Sequence, residues 1–139
     1  MASAIYPNGL KHIALGDVAW KAGGATIKAT LIDTADYTYN AAHKYMNTGT
    51  VPAIAKEETE TVTVIDATSG GVCDAVDTVF AAAAGDPTEA VIVWVDGGDG
   101  GTTAAGTVSF LLAYLEASVI LNGGSVTAVW PGGGIFSLS

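Results

Sequence analysis

A chain of 139 residues, of which 50% are apolar and 14% are charged, has the length and composition of one folded domain and not of a disordered tail. Five lysines, no arginine and fourteen acidic residues give a formal net charge of −9. Such a surface repels phosphate groups, which argues against nucleic acid and an anionic membrane as partners. The single cysteine, Cys73, excludes an intrachain disulfide and a cysteine-based metal site, and we predict that it is a small buried residue.

Residues 1–24 are predicted to form an irregular N-terminal arm. Tyr6-Pro7-Asn8-Gly9 has the composition of a turn, and Ala22-Gly23-Gly24 interrupts the chain before the first strand. Leu10 is expected to pack onto the domain. Trp20 is expected to hold the arm against this subunit or against a neighbouring one.

The first strand is predicted at Thr26–Asp33, where apolar and polar residues alternate. Ile27, Ala29 and Leu31 share one face, and the opposite face is predicted to be wet. An Asp/Thr turn and two tyrosines then lead into the one predicted helix, near residues 40–46, for which Asn40 is the expected N-cap.

Further strands are predicted along the rest of the chain, at Lys56–Ile65, Ala90–Val95, Thr107–Glu116, Ser125–Trp130 and Ile135–Leu138. Three glutamates at the start of the first of these indicate an edge strand protected against unwanted pairing. The apolar, β-branched run Ala90–Val95 is predicted to be central in the core. Together these patterns predict an all-β fold, a single β-sandwich or jelly-roll-like domain over residues 1–139.

The loop Asp96–Gly101 places two aspartates among four glycines, and its oxygens suggest a calcium site. Its spacing matches neither an EF-hand nor a nonapeptide calcium repeat, and no Gly-Lys-Ser/Thr follows for a phosphate loop. We interpret it as a plain hairpin loop, with an adventitious cation site as the alternative.

The two histidines, His12 and His43, have no adjacent motif that would orient them toward a nucleophile. Spaced acidic pairs such as Asp33 with Asp36 and Asp74 with Asp77 flank turns, where aspartate caps backbone N–H groups. We therefore predict no catalytic residues, no cofactor and no metal, and hence a protein that is not an enzyme.

The aromatic residues favour a role in protein–protein contact. Tyr37 and Tyr39 share one face of an extended segment, and Tyr45 follows shortly after them. Partly exposed tyrosines are common at interfaces because they combine a rigid apolar ring with a polar tip. The alternative is that they cover one end of the sandwich. Trp94 and Trp130 are predicted to lie in the core.

Several short motifs along the chain resemble those of small virion structural proteins of tailed bacteriophages. The most specific stretch is Leu31–Ala42, within the run Ile27–His43. The other matching segments are Tyr6-Pro7 with Gly9, Gly16-Asp17 with Trp20, Gly71-Val72 with Asp74-Ala75 and Asp77, Phe80, Glu89–Val95, Asn122-Gly123-Gly124 and Gly134-Ile135-Phe136.

The resemblance implies a non-enzymatic capsid decoration (cement) protein that binds the outside of the major capsid protein shell and stabilises it. It further implies a homotrimer that is made in the host cytoplasm and located on the capsid exterior. The candidate contact residues are Tyr6, Leu10, Trp20, Tyr37, Tyr39 and Tyr45. The alternative is a carbohydrate- or receptor-binding module of a phage tail or head fibre.

Overall fold

The computed structural model describes residues 3–66, 72–81, 83–97, 109–130 and 135–137. Within these ranges the chain forms ten antiparallel strands, one α-helix and one short 3-10 helix. In chain order the elements are β1 (Ala4–Ile5), α1 (Pro7–Ala14), β2 (Ile27–Ile32), a 3-10 helix (Ala53–Ala55), β3 (Lys56–Thr61), β4 (Val64–Ile65), β5 (Val72–Ala75), β6 (Thr78–Phe80), β7 (Thr88–Val95), β8 (Leu111–Val119), β9 (Val126–Ala128) and β10 (Phe136–Ser137). The predicted all-β, single-domain fold is confirmed.

A five-stranded sheet in the order β1-β8-β7-β2-β3 organises the domain. Its middle strand, β7, contains the apolar run that predicted a central strand, and that prediction is confirmed. The glutamate-rich strand β3 lies at one edge of the sheet, as its charges indicated. Two smaller sheets, β10-β5-β4 and β6-β9, complete the described strands.

One face of the five-stranded sheet, the first face, packs against the two smaller sheets. Leu31 of β2 and Val93 of β7 belong to a buried cluster that also contains Cys73 of β5 and Phe80 of β6. Trp130 completes this core and donates from Nε1 to the carbonyl oxygen of Val76 at 3.1 Å. The burial predicted for Cys73, Trp94 and Trp130 is confirmed.

The opposite, second face is also buried, which contradicts the wet face predicted for the first strand. Thr30 and Ile32 have no exposed surface. The Trp94 Nε1 atom donates to the Thr30 hydroxyl at 2.9 Å, and this hydroxyl lies 2.7 Å from that of Thr59. The prediction was wrong because a polar threonine can be buried once its hydroxyl is hydrogen-bonded.

The helix predicted near residues 40–46 is absent, and this part of the chain is a turn followed by an extended stretch. The Asn40 side chain accepts from the Ala42 N–H at 2.8 Å, and the His43 N–H donates to the Asn40 carbonyl oxygen. Tyr45 then forms an antiparallel β-bridge with Phe110, and the Met46 N–H donates to the Ser109 carbonyl oxygen. Because this stretch pairs with the chain before β8, it is extended and does not form the predicted helix.

The N-terminal arm predicted as irregular instead contains β1 and α1. Pro7 at the first position of α1 suits a helix start because its missing N–H needs no partner there. Gly9 is buried against β8, and a Cβ atom at this position would overlap the Leu111 carbonyl oxygen. The proline and glycine that suggested a turn therefore begin a helix and allow its close packing.

None of the helices in the described ranges has the length and apolar character needed to cross a membrane.

In the loop Asp96–Gly101, Asp96 forms an ion pair with Lys28 at 3.2 Å. The prediction about a hairpin loop or a cation site falls largely on residues 98–101, outside the described residues.

Candidate functional site

The structure separates the six predicted contact residues into a buried and a more accessible group. Tyr6, Trp20 and Tyr37 are buried within the chain. Leu10 is exposed, and Tyr39 and Tyr45 are half-buried. Trp20 is held by a hydrogen bond from Nε1 to the Asp74 carbonyl oxygen at 3.0 Å, so it fastens the N-terminal region to its own domain.

The buried tyrosines belong to a hydrogen-bonded row on the second face. The hydroxyls of Tyr6 and Tyr37 lie 2.8 Å apart, and the Tyr37 hydroxyl lies 3.0 Å from Nδ1 of His43. Burial is the main cause that raises the pKa of Tyr6 well above its usual range and that of Tyr37 to about 12. Burial also lowers the pKa of His43, so its ring favours the neutral form.

Beside this row, the chain after β2 forms an open cleft with the neighbouring ends of β7 and β8. The cleft has a volume of about 370 Å³. Its lining residues are Thr34, Tyr37, Thr38, Tyr39, Glu89, Tyr114, Glu116 and Ser118. We call it the tyrosine cleft.

Three aromatic rings form one part of the tyrosine cleft. The ring centroids of Tyr39 and Tyr114 are 5.4 Å apart, and those of Tyr37 and Tyr114 are 6.5 Å apart. Tyr39 also contacts the ring of Tyr6 at 5.0 Å, and its hydroxyl donates to the Ile5 carbonyl oxygen at 3.4 Å. The segment that carries the predicted contact tyrosines is thus fixed in place by the N-terminal chain.

Two carboxylates form the polar part of the cleft. The Thr34 N–H donates to Oε2 of Glu89 at 3.2 Å, which ties the segment after β2 to β7. Glu116 is exposed, and its backbone N–H donates to the hydroxyl of Ser3 at 3.2 Å. Burial raises the pKa of Tyr114, and the nearby charges of Glu116 and Glu89 add to that effect. The cleft lining therefore contains two acidic side chains and no basic one.

Sequence reasoning identified Tyr37 and Tyr39 but missed the other half of the cleft. Tyr114 and Glu116 are two positions apart on β8, which places them on one side of a strand. That spacing was visible in the sequence. Glu89 gave no local signal, because its position in the cleft depends on the pairing of β7 with β8.

The other chemically reactive side chains have structural contacts. Nδ1 of His12 lies 2.7 Å from a carboxylate oxygen of Asp17, and its ring stacks on Phe110 at 4.0 Å. The Cys73 thiol lies in the first-face core, and its burial raises its pKa. A buried thiol with a raised pKa is poorly suited to act as a nucleophile.

Three carboxylates that are distant in sequence meet at one corner of the domain. Oxygen atoms of Asp33, Glu57 and Asp86 lie within 4.8 Å of one another. Burial raises the pKa of Glu57, and the charge of Asp86 adds to the increase, although the Asp86 N–H also donates to the Glu57 carboxylate. The Asp33 side chain already accepts from the Ala35 N–H at 2.8 Å. Backbone N–H groups already bind two of the three carboxylates, those of Asp33 and Glu57, and we assign no metal to this corner.

The small sheet β6-β9 exposes apolar side chains on its outer side. Val79 is 51% exposed, and Val129, just beyond β9, is 72% exposed. Val79 pairs with Thr127, so Val129 lies diagonally across the two strands from it. This outer side is a second accessible region, apolar where the tyrosine cleft is acidic.

Comparison of the chain with protein-family models gives no match, and comparison with curated proteins gives none either. The resemblance to phage virion proteins therefore stays a hypothesis that depends on the motifs quoted from the sequence.

Proposed function

We propose that the protein is a non-enzymatic capsid decoration protein of a tailed bacteriophage, bound to the outside of the major capsid protein shell. The observation that carries the proposal is the tyrosine cleft. Four of its lining residues lie within Leu31–Ala42, the most specific part of the resemblance: Thr34, Tyr37, Thr38 and Tyr39. The ring of Tyr39 is half-buried, and Glu89 and Glu116 add carboxylates to the cleft. Tyrosine-rich surfaces of this kind are typical of protein interfaces.

The proposed mechanism is the addition of buried interface. Each copy, as part of a homotrimer, binds neighbouring capsid subunits, so that the shell must break more contacts before it opens. The tyrosine cleft and the apolar outer side of β6-β9 supply two accessible regions of different chemistry for these contacts. The net charge of −9 favours solubility when many copies cover one particle.

The direct test is mass spectrometry of purified virions, together with cryo-electron microscopy of the same particles. We expect the protein in the virion, in threefold-symmetric density on the outer surface of the shell. Its absence from virions, or a location on the tail, would contradict the proposal. Light scattering of the isolated protein tests the homotrimer separately.

A carbohydrate- or receptor-binding module is a second candidate function, because aromatic rings and hydroxyls line the tyrosine cleft. Tyrosine rings pack well against the flat apolar faces of sugars, while hydroxyls and carboxylates accept their hydrogen bonds. Binding on a glycan array that a chelator abolishes would favour this function over capsid decoration.

A further inference from the structure

The end of β8, strand β9 and the turn between them carry no charged side chain. The sequence has no acidic or basic residue from Ala117 to Ser139, although the whole chain has a net charge of −9. Within this stretch Ala117, Ser118 and Thr127 are exposed. The charges of the chain are therefore concentrated on the other parts of its surface.

The two most exposed large apolar side chains of the described residues lie in the same stretch. Ile120, directly after β8, is 77% exposed, and Val129, directly after β9, is 72% exposed. Single exposed apolar residues are ordinary, whereas grouped ones mark interaction surfaces. We call the exposed residues of this surface the uncharged edge: Ala117, Ser118, Ile120, Thr127 and Val129.

Both strands have a side that no further strand of the described chain covers. Among the described strands β9 pairs with β6 alone, and on the side of β8 away from β7 the short strand β1 reaches only as far as Tyr114. Two adjoining cavities, of about 240 Å³ and about 230 Å³, lie between β8 and β9 and share the lining residues Val91, Ala117, Thr127 and Ala128. Unpaired strand edges offer backbone N–H and C=O groups to another chain.

The edge strand β3 differs from β9 in its side chains. β3 carries one lysine and three glutamates, and charges of this kind protect an edge against pairing. The segment around β9, Ser125–Val129, contains no charge and no proline that would discourage pairing. The contrast indicates that β9 lies at an edge that meets another chain.

We propose that copies of this chain contact one another through the uncharged edge, an inference that rests on the proposed function for the number of copies, three. Two molecules with a charge of −9 repel each other, and this repulsion is weakest where neither presents a charge. At the margin of the edge, the Asp77 carboxylate accepts from the Trp130 N–H at 2.9 Å, which holds this charge against its own chain. A basic partner would instead be attracted to the acidic parts of the surface. The uncharged edge therefore suits a second copy, and the tyrosine cleft remains accessible to the shell.

Sedimentation velocity of the full chain over a range of concentrations tests this contact. We expect the wild type to assemble into trimers. Ile120→Lys and Val129→Lys should each raise the concentration needed for assembly at least about tenfold, because burying an ammonium group in an uncharged contact is unfavourable. Ile54→Lys is the matched control: Ile54 is 67% exposed on the 3-10 helix, and this variant should assemble as the wild type does. Circular dichroism checks that the three variants are folded.

The sign of the effect is informative because the chain is acidic. Each added lysine makes the net charge less negative, which by itself reduces the repulsion between copies and favours assembly. A loss of assembly in Ile120→Lys and Val129→Lys therefore reports the contact and not the overall charge. A wild type that is monomeric at about 100 μM would overturn the proposal, as would equal assembly of the wild type and both variants or an equal loss in Ile54→Lys.

Hydrogen exchange tests the strand edges directly. Peptides that cover residues 115–130 should exchange more slowly in the assembled wild type than in monomeric Val129→Lys, because the contact protects backbone N–H groups. Peptides that cover β3 are the internal control and should exchange equally in the two proteins. Slower exchange of the β3 peptides alone, or no difference in either region, would contradict a contact through the uncharged edge.

Binding to capsids separates this inference from the proposed function. If the wild type assembles through the uncharged edge but virions lack the protein, the decoration function is wrong while the contact stands. If the wild type decorates capsids as a monomer, the contact between copies is wrong while the decoration function stands, and a loss of decoration in Val129→Lys would then assign the uncharged edge to the shell. A dimer that both lysine variants dissociate supports the contact and contradicts the homotrimer.

Discussion

The two faces of the five-stranded sheet are buried in different ways. The first face packs aliphatic and aromatic side chains against two small sheets, in one buried cluster that contains Leu31, Val93 and Phe80. The second face is covered mainly by the irregular chain between β2 and β3, which contributes Tyr37, Met46 and Val51. One sheet therefore has a strand-covered face and a loop-covered face.

The difference shows how irregular chain can cover a sheet. Regular strands satisfy their own backbone groups, whereas a covering loop must find partners for its polar atoms. On the second face those partners include the Ser109 carbonyl oxygen, which accepts from the Met46 N–H, and the hydroxyls and ring nitrogen of the Tyr6–Tyr37–His43 row. Tyr37 of this row also lines the tyrosine cleft, so the candidate site lies on the loop-covered face.

The largest effect is expected from Phe80→Ala on the first face. Phe80 is fully buried, and removing its ring should lower the free energy of unfolding by about 3–5 kcal/mol because a cavity remains. Chemical denaturation measures the loss. Val79→Ala on the same strand is the control, since this side chain is 51% exposed, and it should cost less than about 0.5 kcal/mol. Similar losses in the two variants would mean that β6 does not cover the first face.

The next effect is expected from Gly9→Ala, at the helix that joins the two faces. Tyr6, just before α1, packs on the second face, whereas Ile13 near its end packs on the first. A methyl group at Gly9 should force α1 away from β8 and cost about 1–3 kcal/mol. Gly49→Ala is the matched control, because a Cβ atom there meets no neighbour. Circular dichroism during thermal unfolding compares the two, and equal melting temperatures would contradict the close packing of α1.

A smaller loss is expected from Tyr37→Phe, which tests the hydrogen bonds of the second face. The variant keeps the ring but leaves the Tyr6 hydroxyl and the His43 nitrogen without their shared partner, at a cost of about 1–2 kcal/mol. Tyr45→Phe is the control, because Tyr45 packs on Phe110 through its ring, and it should change stability by less than about 0.5 kcal/mol. If Tyr37→Phe left the free energy of unfolding unchanged, side-chain packing alone would hold the loop on the sheet.

The first face was largely predictable from sequence, and the second was not. Alternation in β2 and the apolar run of β7 indicated the strands, because local periodicity reports the side chains that face a core. Thr30 was misinterpreted because alternation cannot tell a wet threonine from a buried, hydrogen-bonded one. The helix predicted near residues 40–46 failed because its competitor, the bridge between Tyr45 and Phe110, joins residues far apart in sequence.

The candidate site shows the same limit. Tyr37 and Tyr39 were predicted as contact residues, since clustered tyrosines are a local signal. Glu89 and Glu116 join them only through the pairing of β7 with β8. Sequence alone therefore indicated half of the cleft, and the half it missed supplies the charge.

The smallest effect on the free energy of unfolding is expected from the ionisation of His43. Its pH dependence tests the polar contacts of the second face separately from the packing of the rings. The pKa of His43 is lowered in the folded protein, so its stabilising contribution is complete above its ordinary pKa of 6.5 and is lost as the pH falls through the lower folded value. Glu57 acts oppositely: its raised pKa gives a contribution that is present below 4.5 and is lost as the pH rises. The wild type alone therefore mixes two trends of opposite sign.

The comparison of the wild type with His43→Gln removes this ambiguity, because only the histidine contribution differs between them. We expect the gap between their free energies of unfolding to narrow from about pH 7.5 to about pH 5.5, since protonation places a charge on a partly buried ring. The change should stay below about 1 kcal/mol because solvent reaches part of the ring. A gap that stays constant or widens as the pH falls would show that His43 does not contribute through its neutral form. The loop-covered face would then depend on ring packing, as the strand-covered face does.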